Sequence, residues 1–159
     1  MEKERLIVFL SRFEKTNEII LDIYDNLTQK VQQLSKEPVS VESVESAGYW
    51  MHNLYCAYED LFRLVAAFFE NTIKSDGLFH KQLLRTMTLT IPGIRPSVIS
   101  EMSFKYLDEL RGFRHVFRHA YSYGLDDERV IFLLRRIIKQ KESILSDLKL
   151  FKDNITDSI

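Results

Sequence analysis

Residues 110–124, LRGFRHVFRHAYSYG, place three arginines (Arg111, Arg114, Arg118) and two histidines (His115, His119) within nine positions. Guanidinium groups grip phosphate oxygens through paired N–H donors, and imidazole exchanges protons near neutral pH, so this combination suits the binding of an anion and proton transfer beside it. On an ideal helix, with Arg111 at zero and about 100° per residue, Arg118 falls near −20°, Arg114 near −60°, His115 near +40° and His119 near +80°. Phe113, Val116, Phe117 and Ala120 gather on the opposite side, which separates a cationic face from a core face. Arg114 and Arg118 stand four apart, where like charges disfavour a helix by a few tenths of a kcal/mol. Helix stability therefore does not account for the arrangement; a charged outer face near a helix end is the ordinary alternative, and an anionic partner such as a phosphate explains more of it. Arg114 and His119 lie about 140° apart on the same wheel, so they meet at one phosphate only if the helix is distorted before His119 or a second chain completes the site.

The elements that position this segment are helical. The chain has 159 residues, enough for one domain with a proper core, and 22 Lys and Arg stand against 23 Asp and Glu. With no global charge, affinity for nucleic acid must be local. One cysteine, Cys56, excludes an intramolecular disulfide, and the short apolar run at the start, flanked by charges, reads as neither a signal peptide nor a membrane span. A cytoplasmic protein is expected. Only five glycines and three prolines interrupt the sequence. Leu6, Leu10, Phe13, Asn17, Ile20, Tyr24, Leu27, Val31 and Leu34 follow a heptad seam that should end near Lys36, before Pro38. Ser40 is a plausible cap for a second helix with Ala47, Met51, Leu54, Tyr58, Leu61, Val65 and Phe68 inward, reaching about Lys74. A short helix is expected from Phe79 to about Leu89, then a TIPGIRP loop. A fourth helix starts between Ser97 and Ser103 and carries the basic segment to about Tyr121 or Tyr123, with Gly124 as a left-handed cap. Asp126 caps the last helix, whose stripe is Val130, Leu133, Ile137, Ile144, Leu148 and Phe151. The expectation is an all-α, antiparallel up-and-down four-helix bundle with an additional short helix, one domain over residues 1–159.

Arg114, the intervening HVFR, His119, Ala120 and Tyr121 spell R-x4-H-x-Y, which resembles the motif of HepT-type toxins in the HEPN superfamily of helical ribonucleases, with His115 in the polar position after the arginine. HNLYCAYEDLFRLVA, FHKQLLRTM and IPGIRP are similar to further segments of HepT-like proteins. The resemblance implies the toxin of a type II-like toxin–antitoxin system, a metal-independent endoribonuclease with no cofactor. His119 would be the acid or base and Arg114 the phosphate clamp, while His115 would orient substrate or share proton transfer and Arg111 and Arg118 would track the RNA backbone. It further implies a homodimer with the motifs meeting around a cleft, and an MntA-like nucleotidyltransferase antitoxin that attaches AMP to Tyr121, with Tyr123 as a neighbouring target. The alternative is a catalytically inactive HEPN binding or regulatory module that partners such a transferase. A purely structural adaptor would leave the three arginines unexplained.

The remaining polar groups read more plainly. Glu59 matches an acidic residue of the resembling family and would pair with an arginine of the basic face, although surface exposure is the preferred reading. Asp126, Asp127 and Glu128 are explained by helix capping rather than a metal. His52 and His80 are too scattered for a zinc site with a lone cysteine. Tyr49 and Trp50 are assigned to core or dimer packing.

Overall fold

The computed structural model describes residues 2–36, 38–71, 79–120 and 124–157. Five helices follow in chain order: α1 (Glu2–Leu34), α2 (Val41–Phe69), α3 (Phe79–Thr86), α4 (Glu101–Arg118) and α5 (Asp127–Thr156). No strand occurs among the described residues; Ile91 and Arg95 form one isolated bridge in the loop before α4. None of these helices is long and apolar enough to cross a membrane.

Helix starts follow local side-chain chemistry. Ser40, Ser100 and Asp126 are the N-caps of α2, α4 and α5, and each side chain accepts from the backbone N–H three residues on. Asp147 of α5 reinforces the middle cap by accepting from the N–H and hydroxyl of Ser100 and from the hydroxyl of Ser103.

Helix ends are shorter than the sequence pattern implies, and the causes are tertiary or local competition. α3 stops at Thr86 rather than Leu89, because the buried Arg95 guanidinium donates to the carbonyls of Thr86 (3.1 Å) and Leu89 (3.0 Å) while pairing with Glu70. α2 ends at Phe69, with Glu70 as C-cap and Asn71 at φ 47°. α4 ends at Arg118 rather than at Tyr121 or Tyr123. His119 leaves helical geometry, its backbone N–H bonds to Val116, and its ring Nδ1 donates to the His115 carbonyl at 2.8 Å. A side-chain donor thus competes for the carbonyl a continuing helix would use. Gly124 does adopt positive φ (71°), but beyond that end.

Packing closes the helices into a ring. α1 lies against α2, α2 against α4, α4 against α5 and α5 against α1, with α3 clipped onto α2 and α4. Contacts fix the directions: Phe9 stacks on Phe68 while Tyr24 meets Tyr58, Phe13 meets Phe151, and Glu109 pairs with Arg136. Neighbours are antiparallel, so this is the up-and-down bundle with one short extra helix. α2 is the central element; it buries its expected stripe except for the half-buried Phe68, and in addition Val44, Gly48, Tyr55, Ala57, Glu59, Phe62 and Ala66. α1 buries Phe9 and Ile23 in addition to Phe13, Ile20, Tyr24, Leu27 and Leu34 of the heptad seam, since it contacts both α2 and α5 and so needs a wider apolar face, whereas Leu6, Leu10, Asn17 and Val31 of the seam are half-buried. Tyr49 is exposed, contrary to core packing, whereas Trp50 packs partly buried against the core.

Between α1 and α2 the hydroxyls of Tyr24 and Tyr58 share one hydrogen bond of 2.8 Å in a fully buried setting. Burial pushes both phenols up from their ordinary value, so the bond is between neutral groups. Tyr24→Phe orphans the Tyr58 hydroxyl and should cost about 1–3 kcal/mol in urea unfolding, whereas the Tyr24→Phe, Tyr58→Phe double variant should recover part of that loss.

Candidate functional site

Where α4 crosses α2, the contacts follow the helical repeat of α2 at positions 48, 52, 55 and 59. Gly48 lets the ring of Phe117 pack against the α2 backbone; a Cβ there would sit 3.2 Å from Phe117 and 2.8 Å from Leu125. His52 stacks on Phe117 with centroids 5.3 Å apart. Tyr55 lies under the Arg114 guanidinium at 5.8 Å, and Glu59 accepts from Arg114 Nη1 at 3.2 Å.

Glu59 is the hub. It is 5% exposed, and its carboxylate accepts from three side chains: Arg63 Nη2 at 2.8 Å, His80 Nδ1 at 2.7 Å and Arg114 Nη1 at 3.2 Å. The expected surface exposure is therefore overturned, and its pairing with an arginine of the basic face holds. A buried carboxylate is tolerated only when its lone pairs are satisfied, and donors from α2, α3 and α4 do so here. Because His80 Nδ1 donates to this carboxylate, the 3.5 Å approach of Arg114 Nη1 to the same nitrogen is donor against donor, not a hydrogen bond.

Of the basic segment, Arg114 alone forms an ion pair with Glu59 among the described residues. Arg111 is half-buried and pairs with Asp108 at 2.8 Å. His115, Arg118 and His119 are exposed, and Arg118 has no ion pair among the described residues. The His115 and His119 rings are 4.3 Å apart. A carbonyl can only accept, so His119 Nδ1 carries the proton it donates to His115, and the Nε2 of a neutral ring is then the basic nitrogen. The regular helix stops one residue before His119, so the 140° separation of the ideal wheel does not apply to it. Tyr121 and Tyr123 lie outside the described residues.

Sequence reasoning missed Tyr55, Arg63 and His80 as neighbours of Arg114. The spacing Tyr55, Glu59, Arg63 at four-residue steps marks one face of α2 and could have revealed the first two; His80 is on another helix, 21 residues from Glu59. Cys56 lies 3.7 Å from His52 Nε2, and burial pushes its thiol up, which argues against a nucleophilic thiolate. Among the described residues no group of three His, Cys, Asp or Glu side chains could hold a metal ion.

A family model described as HepT-like protein matches residues 46–155. The chain belongs to the HepT-like family. The match spans most of α2 and the whole of α3 and α4, so it includes Glu59, His80, Arg114 and His119, while all of α1 precedes it. Membership of this family points to the HEPN-type toxins of toxin–antitoxin systems. No curated protein and no solved structure matches the chain.

Two measurements probe this HepT-like site. Removing Glu59 leaves three donors facing one another, whereas removing Arg114 leaves Glu59 with two partners. Glu59→Ala should therefore cost about 2–4 kcal/mol in denaturant unfolding and Arg114→Ala about 1 kcal/mol; an equal or reversed order contradicts the hub. Burial first, then the Arg114 and Arg118 charges, holds the His52 imidazole below its ordinary value. The unfolded chain then takes up the proton first as pH falls through about 6.5, so stability is unaffected well above that pH and declines below it. The Tm of His52→Phe relative to wild type should be higher at pH 5 than at pH 7.5.

Proposed function

We propose that this HepT-like protein is a metal-independent endoribonuclease toxin in which Arg114 and His119 carry the reaction. The observation that carries the proposal is the end of α4: a cationic, imidazole-rich surface in which one arginine is anchored on a buried carboxylate and one histidine has its tautomer set by a carbonyl.

In this reading the RNA 2'-hydroxyl attacks the adjacent phosphorus and the 5'-oxygen leaves, which gives a 2',3'-cyclic phosphate and a new 5'-hydroxyl. His119 takes the attacking proton on Nε2 or returns one to the leaving oxygen. Arg114 neutralises the charge that builds on the phosphoryl oxygens, using guanidinium donors other than the one given to Glu59. His115 orients the substrate, and Arg111 and Arg118 follow the strand. Two copies of the chain form a homodimer with these segments facing one cleft, which supplies each phosphate with cations from both. An MntA-like nucleotidyltransferase antitoxin silences the protein by attaching AMP to Tyr121, placing negative charge and bulk beside the same cations.

A second reading has a specific observation in its favour. Arg114 is engaged by Glu59, and a guanidinium held there permanently would suit a binding or regulatory module for the transferase more than a nuclease. Purified protein incubated with defined single-stranded RNAs in chelator separates the two. The nuclease reading expects cleavage that falls by about 100-fold or more in both His119→Ala and Arg114→Ala, in line with the loss of a general acid–base or an oxyanion-stabilising group. Cleavage unchanged in His119→Ala contradicts the assignment, and RNA or transferase binding without any cleavage favours the binding module.

A further inference from the structure

The first half of α5 presents a second cationic surface, on the flank of α4 opposite the Arg114 hub. Taking Phe132 as zero, Arg136 lies near +40°, Arg129 near +60°, Lys139 near −20° and Arg135 near −60° at about 100° per residue. One face of the helix thus carries four cations and an aromatic ring, with Glu128 as its carboxylate. Arg135 and Lys139 stand four apart, an arrangement that disfavours the helix. Arg136 pairs with Glu109 at 2.8 Å, while Arg129, Arg135 and Lys139 have no ion pair among the described residues.

Phe132 is 61% exposed and is the one exposed phenylalanine among the described residues. It is also ordered by its neighbours. The Arg136 guanidinium lies 5.2 Å from the Tyr106 ring and 5.6 Å from the Phe132 ring, which makes a layered aromatic–guanidinium–aromatic cluster that ends on an exposed phenyl face. Phe132, Arg135, Arg136 and Lys139 line a groove of about 480 Å³ together with Glu128, Ile131, Leu34 and Val39, and Arg129 lies outside that lining, further along the same face. From Arg129 to Lys139 the face runs about 15 Å along the axis.

We propose that this face of α5 is a second binding surface for single-stranded RNA, with a base stacked on Phe132 and phosphates held by Arg129, Arg135 and Lys139. An aromatic platform flanked by cations spaced along a groove is the arrangement that binds single strands without reading sequence, because every base has a π face and every linkage a charge. The proposal rests on the reading of the protein as acting on RNA and adds where the strand is gripped away from the cut.

The test uses the full chain carrying His119→Ala, to prevent cleavage, and a fluorescein-labelled 12-nucleotide oligouridylate read by anisotropy. Phe132→Ala should weaken binding about fivefold or more and Phe132→Tyr should leave it near the parent value, because stacking needs a ring rather than that ring. Arg135→Gln with Lys139→Gln should lower the slope of log affinity against log salt by about 1.4, the value for two lost phosphate contacts on a single strand. In the cleavage-competent chain the same α5 variants should raise KM for long RNA and leave cleavage of a dinucleotide unchanged, while Arg114→Ala affects both. Oligouridylate binding unchanged in all α5 variants overturns the surface whether or not cleavage is seen, and loss of binding in a chain that cuts no RNA upholds it while the nuclease reading fails. RNA binding unchanged together with loss of dimer mass in light scattering, or of transferase binding, assigns the face to a protein partner and overturns the proposal.

Discussion

The buried carboxylate of Glu59 ties together α2, α3 and α4 at the end of the bundle that carries the basic segment. A charge removed from water costs several kcal/mol unless partners replace its hydration, and here the partners come from three helices: Arg63 from α2, His80 from α3 and Arg114 from α4. The requirement to satisfy that group sets where α3 docks and how α4 is rotated. Once Arg114 is turned toward α2, His115 is left facing solvent, while Arg118, one turn on and on the same side as Arg114, is exposed at the end of α4 with its charge within reach of His52. The chemistry proposed for the segment is in this sense a consequence of one buried ion pair, reinforced by the close approach of Phe117 to Gly48.

The same hub gives Arg114 a defined but partial commitment. Of the three donors to Glu59 it is the most distant, 3.2 Å against 2.8 Å and 2.7 Å, and the other two keep the carboxylate satisfied if the guanidinium shifts toward a phosphate. His119 is held differently, through a bond to the backbone of its own helix rather than to a neighbouring helix. One group is anchored to the core and the other to a helix terminus, and the segment between them ends the regular helix.

Much of the bundle was legible in the sequence because its determinants are local. Apolar spacing identified all five helices, and Ser40 and Asp126 marked two of the starts by their capping chemistry. What was not legible depended on residues far apart in the chain. The early end of α3 follows from Arg95 reaching back to its carbonyls, and the extra burial on α1 and α2 follows from how many neighbours each has. Glu59 looked like a surface residue beside the exposed Asp60, since its partners His80 and Arg114 are 21 and 55 positions away. The basic segment itself was visible as a motif; that its arginine faces inward and its histidines outward needed the packing of α2.

If the end of α4 cleaves RNA through the substrate's own 2'-hydroxyl, with protein cations and imidazole in place of a metal, that hydroxyl is indispensable at the cut position. The most direct measurement compares an RNA strand with the same strand carrying one 2'-deoxynucleotide at the cut position, both incubated with the wild-type protein in chelator and analysed by mass spectrometry. The all-ribose strand should be cut to a product ending in a 2',3'-cyclic phosphate, and the single deoxy substitution should abolish cleavage at that position. Cleavage that persists at the deoxy position, or that requires a divalent ion, would contradict that chemistry.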